Sequence, residues 1–219
     1  MTHDRRTFSL GVAALVACAL AWPLSAAAQK LYEDFIVAVG NDRAADVKAM
    51  LARGVDPNTV DGNGEPVLVV AARGGFVATV DVLLAGRADV NVRYRFGDTA
   101  LMVAALNGHL EIVKKLRARG AEVNRAGWTA LIYAATGGHD DVVRYLLAEG
   151  ANIDAASPNG TTALMMAVRE GRTSTAELLI ARGVDVNRRN ENGASALDWA
   201  RRGNDAAMAA RLTRAGAKN

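Results

Sequence analysis

The chain has 219 residues, of which 51% are hydrophobic and 22% charged, with a formal net charge of +3. This composition is typical of a folded globular protein and excludes a disordered or collagen-like chain. Aromatic residues make up only 5%, so we expect a core of small and aliphatic side chains.

The first 28 residues have the order of a secretory signal peptide. An arginine pair precedes an apolar run over 8–20, and small residues follow up to Ala28. This order predicts cleavage after Ala28 and a periplasmic or secreted protein that starts at Gln29. The apolar run is short for a membrane span, so no membrane insertion is expected after cleavage.

Two details of this segment leave alternatives open. "RRTF" at 5–8 is similar to the core of twin-arginine signals, which would mean export after folding. "LVAC" at 15–18 is similar to a bacterial lipobox, which would make the protein lipid-anchored through Cys18. Loss of 1–28 lowers the charge from +3 to +2, because Asp4, Arg5 and Arg6 leave together. A nearly balanced charge gives no reason to expect nucleic acid as a partner.

Three later segments are close copies of one another. They read "GDTALMVAALNGHLEIVKKLRARGAEVN" at 97–124, "GWTALIYAATGGHDDVVRYLLAEGANID" at 127–154 and "GTTALMMAVREGRTSTAELLIARGVDVN" at 160–187. The equivalent leucines are separated by 33, 30, 33 and 33 residues, and they are Leu68, Leu101, Leu131, Leu164 and Leu197. A period near 33 residues predicts a repeat architecture.

Each copy has the pattern of two short helices. Apolar and small residues follow "TAL", a glycine-rich break comes next, and a second apolar stripe ends before a glycine such as Gly150. Helices this short are marginal alone, so stacked copies must bury one another's faces. We predict six units, over 31–60, 61–93, 94–126, 127–156, 157–189 and 190–219.

The order "G-x-T-A-L…A-A-x-x-G-H…V-V-x-x-L-L-x-x-G-A-x-V-N" resembles ankyrin repeats over 31–219. The resemblance implies an all-α solenoid of about six helix-turn-helix units with β-hairpin fingers, formed by 29–219 after the signal peptide. We expect this domain to be a monomer. Arg87 departs from the pattern because it stands where a glycine should end the second helix. The "GND" turns at 40–42 and 203–205 indicate caps at the two ends.

The largest departure from the pattern is a short finger between the third and fourth units. Only Arg125 and Ala126 lie between Asn124 and Gly127, where the pattern has five residues. A row of fingers with one shortened by three residues should have a notch beside Trp128.

Few groups in the chain could carry chemistry. The only cysteine is in the leader, and His109 and His139 occupy the "G-H" turn of their units. Equivalent positions in stacked helices lie about 8–10 Å apart, too far for a shared zinc ion. No phosphate-binding Gly-x-x-x-x-Gly-Lys-Ser/Thr motif occurs. We therefore predict no catalytic residue, metal or cofactor, and a protein that is not an enzyme.

The resemblance implies a protein partner that binds to the fingers and the concave face of the first helices. Aromatic residues and arginines are enriched at interface hot spots. The candidate contact residues are Arg93, Tyr94, Arg95, Phe96, Leu106, Asn107, Arg125, Trp128, Tyr133, Met166 and Arg169. In the alternative interpretation the aromatics pack between fingers and the arginines solvate an edge. A second possible function is an inhibitor or immunity protein that occludes an enzyme or a toxin.

Overall fold

The computed structural model describes residues 26–218, so most of the predicted signal peptide lies outside the described part. This part contains twelve α-helices and no β-strand. They are α1 (Ala26–Gly40), α2 (Ala44–Ala52), α3 (Val67–Gly74), α4 (Val77–Ala85), α5 (Ala100–Leu106), α6 (Leu110–Ala118), α7 (Ala130–Gly137), α8 (Asp140–Ala148), α9 (Ala163–Arg169), α10 (Thr173–Ala181), α11 (Ala196–Arg202) and α12 (Ala206–Arg214). Between residues 26 and 218, none of these helices has both the length and the apolar character needed to cross a bilayer.

The helices form six pairs that stack along one direction. The first helix of each pair contacts the first helix of the next, and the second helices from α2 to α10 do the same. The five leucines that define the period are each 1% exposed and belong to one continuous hydrophobic cluster. This arrangement confirms the predicted helix-turn-helix repeats, whose short helices share a core that no single pair could form.

Threonine or serine is the N-cap of four of the six first helices. The side chains of Thr99, Thr129 and Thr162 accept hydrogen bonds from the backbone N–H three residues later, at 3.3–3.4 Å. Ser195 does so within a capping box, because Asp198 also accepts from the Ser195 backbone. The "TAL" and "SAL" sequences are therefore N-caps followed by buried residues.

A residue in the left-handed conformation follows each of the six second helices. At five of these six positions it is a glycine with φ between 79° and 94°, namely Gly54, Gly120, Gly150, Gly183 and Gly216. The sixth is Arg87, with φ of 68° after α4 and its C-cap Gly86. The chain thus ends α4 as it ends the other second helices, although a side chain there is strained. Asp42 and Asn204, in the end units, also have positive φ.

A ladder of side-chain bonds joins the loops after the second helices. In each step, an Asn or Asp oxygen accepts from a backbone N–H of the following unit, at 2.7–3.0 Å. The acceptors are Asn58, Asn91, Asn124, Asp154 and Asn187. Because Asn124 keeps its place in the ladder, the three-residue shortening falls after it.

The predicted β-hairpin fingers are not confirmed, since the described residues contain only turns here. Four fingers, 61–65, 94–98, 157–161 and 190–194, share one pattern. The first N–H donates to the fifth carbonyl at 2.8–3.0 Å, and the fourth N–H donates to the first carbonyl at 2.8–2.9 Å. Only two isolated antiparallel bridges, Val60–Pro66 and Ala156–Thr162, accompany them between residues 26 and 218. The N-cap of the next helix follows directly after each finger, so too few residues remain to form a paired β-strand.

Candidate functional site

His109 and His139 each connect two neighbouring units. His109 Nε2 lies 3.1 Å from the carbonyl of Arg73, and His139 Nε2 lies 2.9 Å from that of Leu106. Each carbonyl is in the last turn of the preceding first helix, so both rings have the structural role that the turn motif predicts. Arg172 takes the same role in the next unit, where its Nε donates to the Thr136 carbonyl at 3.1 Å. No cluster of three or more His, Cys, Asp or Glu suited to a metal occurs within 26–218.

The shortened finger divides the row of fingers into two bonded pairs. Arg95 donates to the Asn63 carbonyl at 3.3 Å, which joins the first two fingers. Glu191 N–H donates to the Asn159 carbonyl at 3.0 Å, which joins the last two. Among the described residues, no hydrogen bond links 125–128 to a finger on either side. The hydrogen bonds between fingers are thus interrupted at the short loop, although Gly127 lies close to Pro158 of the following finger.

Trp128 occupies the position just before the N-cap threonine of its unit. At the same position in other units, Glu65 is 6% exposed, Thr161 3% and Ala194 2%. Trp128 and its neighbour in the third unit, Asp98, are only partly buried. One side of Trp128 still packs against the core cluster, so the indole is both anchored and accessible.

Trp128, Tyr133 and Asp98 form a group that bridges two units, which we call the aromatic node. The rings of Trp128 and Tyr133 meet edge to face, with centroids 5.9 Å apart and planes inclined by 72°. The Tyr133 hydroxyl donates to an Asp98 carboxylate oxygen. Burial raises the pKa of Tyr133 well above its usual range, and the hydrogen bond to the Asp98 carboxylate raises it further. The phenol therefore stays a donor at neutral pH.

The predicted arginines around this node differ in their surroundings. Arg93 is exposed and makes no ion pair or hydrogen bond within the described chain. Arg95 is exposed, and its guanidinium lies 5.4 Å from the centroid of the Tyr94 ring. The Arg125 side chain is only 8% exposed and pairs with Glu122 at 3.5 Å. It supports the short loop, and its burial does not favour the predicted surface contact.

Three further candidates lie on the first helices. Met166 is 3% exposed and belongs to the core cluster, so its burial does not favour the predicted surface contact either. Leu106 is partly buried, and Asn107 is exposed but donates its amide to the Val103 carbonyl at 2.8 Å. Both end α5. For Phe96 the structure gives only the backbone, in the 3₁₀ turn Arg95–Gly97.

Arg169, the last candidate, belongs to a second group that the sequence did not predict. Its guanidinium lies 5.3 Å from the centroid of the Trp199 ring. Trp199 holds the same position in α11 that Tyr133 holds in α7, two residues after the leucine of the repeat. That equivalence was the available signal, and it extends the face of the first helices to the end of the stack.

Comparison with known families agrees with this architecture. The sequence pattern of a family described as ankyrin repeats (3 copies) matches residues 35–126, 86–157, 122–190 and 149–218. These overlapping matches cover most of the chain, which therefore belongs to the ankyrin repeat family. Ankyrin repeats indicate a protein–protein interaction module, and the family is generally not enzymatic. No curated protein matches the chain.

Proposed function

We propose that this protein is exported to the periplasm and there binds one protein partner, as a monomer and without catalysing a reaction. The binding domain is 29–219, with the six unit boundaries given above. The partner lies against the fingers and the first-helix face, and its main contact is the aromatic node. The observation that carries this proposal is the interrupted row of fingers, beside which Trp128 is anchored but partly accessible.

The chemistry of the surrounding residues favours a partner with an apolar protrusion and acidic neighbours. Trp128 and Tyr133 offer apolar ring surface, and Tyr94 lies on the finger before them. Arg93 and Arg95 are exposed on that same finger. Aromatic anchors within a charged rim are the usual composition of an interface hot spot. Rim charges of this kind mainly raise the association rate and set its salt dependence.

Export is testable on the protein itself. N-terminal sequencing of the protein from a periplasmic fraction should give a chain that begins at Gln29. Cleavage there would shorten α1, which begins at Ala26, by three residues and would leave its buried residues Phe35, Ala38 and Val39 in place. A chain that retains Met1, or that begins at a lipidated Cys18, would contradict a soluble periplasmic location.

Binding is tested by comparative capture from periplasmic extract. The immobilised wild type and the Arg188→Ala variant should retain the same protein, which the Trp128→Ala variant should lose. Arg188 is an exposed residue near a different finger, so its variant controls for a general change of surface. Equal retention by all three proteins would place the binding site elsewhere.

A second candidate function is inhibition or immunity, in which the partner is an enzyme or a toxin. The finger that is three residues shorter favours it, because a recess beside Trp128 would receive a single protruding element of another protein. The captured partner would then lose its activity when the wild type is added in equimolar amount. If full activity remains, the inhibitor hypothesis fails while the binding function stands.

A further inference from the structure

The gap between the first helices α9 and α11 is bridged differently from the three gaps before it, which lie between α3, α5, α7 and α9. In those gaps a side chain of the following unit, from His109, His139 or Arg172, reaches a carbonyl of the preceding helix. The equivalent residue in the last unit is Asp205, whose carboxylate instead accepts from the Met208 N–H at 2.8 Å. A carboxylate cannot donate to a carbonyl, so the gap is not closed in the same way.

A cavity of about 440 Å³ lies between the ends of α9 and α11. Trp199 and Arg202 line it from one turn of α11, and Arg169 lines it from α9. Asp205, two glycines and the apolar residues Val168 and Ala200 complete the wall, so both positive and negative groups face the space.

Two donors of this wall make no hydrogen bond within residues 26–218. The indole Nε1 of Trp199 is inaccessible to solvent and makes no hydrogen bond. Buried donors are nearly always bonded, which marks this one as a group that a ligand could satisfy. Arg202 is exposed and makes no hydrogen bond in this part of the chain, and its charge helps to lower the pKa of Asp198 one turn earlier on α11. A ligand reaches Nε1 only if a neighbouring group shifts, and the flexible Arg169 side chain is the group that lies over the ring.

The charge around the cavity favours an anion. Segments 168–172 and 198–205 contain four arginines against Glu170, Asp198 and Asp205. Glu170 is bonded to Arg169 at 2.7 Å, and Asp205 caps α12. Residues 157–218 carry ten basic and six acidic side chains, whereas 26–156 carry fourteen and sixteen. The net charge is thus positive over residues 157–218, which hold the cavity, and slightly negative over residues 26–156.

We infer that this cavity binds a carboxylate side chain in an acidic segment of the protein partner. The Arg202 guanidinium and the Trp199 indole N–H are the donors, and the indole ring contacts the apolar part of the segment. Guanidinium and carboxylate are matched in geometry and form the stronger, charge-assisted hydrogen bonds. A protein segment is favoured over a free acid because Trp199 continues the first-helix face that holds Tyr133. In this respect the inference rests on the proposed function.

The indole proton of Trp199 gives a direct readout. In a ¹H–¹⁵N spectrum of the purified protein, its resonance is assigned by its loss in Trp199→Phe. The probe is an acetylated and amidated hexapeptide with two glutamates beside a leucine, and its glutamine counterpart is the neutral control. The glutamate peptide should shift the Trp199 resonance in a saturable manner, and the glutamine peptide should not.

Substitution of the second donor tests the assignment of the site. Arg202→Gln should weaken the affinity for the glutamate peptide about tenfold, the effect of losing a hydrogen bond to a charged group. Arg188→Gln removes the same charge from an exposed residue that does not line the cavity, and it should leave the affinity within about twofold, as expected for a rim charge. Circular dichroism verifies that each variant is folded.

Three outcomes would overturn the inference. They are equal shifts with the glutamate and glutamine peptides, equal losses in Arg202→Gln and Arg188→Gln, and an equal shift with sodium acetate at the same carboxylate concentration. The last would mean that the cavity binds a free carboxylate and needs no partner segment. Because the titration does not use the partner, its outcome is distinguishable from failed capture, which concerns the proposed function alone.

Discussion

The indole of Trp128 meets the ring of Tyr133 edge to face, with a centroid separation of 5.9 Å. Such pairs contribute about 0.5–1.5 kcal/mol beyond the burial of their area. Tyr133 is itself held by its hydrogen bond to Asp98 of the preceding unit. The two rings are thus positioned before a partner arrives, which lowers the entropy lost on binding.

The first prediction concerns the bond between Tyr133 and Asp98. Tyr133→Phe keeps the ring but removes the donor, and it should lower the free energy of unfolding by about 1 kcal/mol. Chemical denaturation at neutral pH measures this difference. The raised pKa of Tyr133 adds a pH dependence, because its contribution is complete below the unfolded pKa, about 10, and is lost as the pH rises through the folded pKa.

The wild type should therefore lose its advantage over Tyr133→Phe under strongly alkaline conditions. Two proteins with the same stability at pH 7 would show that the bond contributes nothing, and a constant difference up to strongly alkaline pH would contradict the predicted pH dependence.

The second prediction concerns Arg87, which has a positive φ of 68°. Glycine adopts this conformation without a steric cost, so Arg87→Gly should stabilise the protein by about 0.5–1 kcal/mol. Thermal and urea unfolding measure the change. Arg53→Gly is the matched control, because Arg53 ends α2 with an ordinary φ of −87°. The control should be neutral or destabilising, and a stabilisation of both variants alike would contradict the role given to φ.

The third prediction concerns acid stability at the C-terminal cap. Hydrogen bonds from the backbone and side chain of Ser195 lower the pKa of Asp198, and nearby Arg189 lowers it further. A lowered folded pKa gives stability that is present above the unfolded pKa, about 3.9, and is lost as the pH falls through the folded value. Asp198→Asn removes this titration. The variant should lose less stability than the wild type between pH 6 and pH 2, and an equal loss would exclude Asp198 as a source.

The periodic features of the fold could be predicted from the sequence. Residues repeated near every 33 positions specify helix pairs, and glycines and threonines mark their ends, because these are local properties of the chain. Arg87 stands at the glycine position of the repeat, and the structure gives it the left-handed conformation of that position.

The contacts of single side chains could not be predicted in this way. Met166 shares its helix position with Tyr133, but one is buried in the core and the other is partly exposed. The buried side chain of Arg125 depends on a pairing with Glu122 in an irregular loop that no other unit has. The indole N–H of Trp199 lacks an acceptor among the described residues, and this could be known only from the packing of side chains around the ring.

The dissociation constant of the captured partner, measured by calorimetry for three variants, tests the central claim most directly. Trp128→Ala should weaken binding about thirtyfold or more, roughly 2 kcal/mol. Arg188→Ala should bind as the wild type does, and Arg95→Ala should mainly reduce the association rate and its salt dependence. Circular dichroism must show that Trp128→Ala keeps its helices. A folded Trp128→Ala protein that binds the partner as tightly as the wild type would contradict a binding site at the aromatic node.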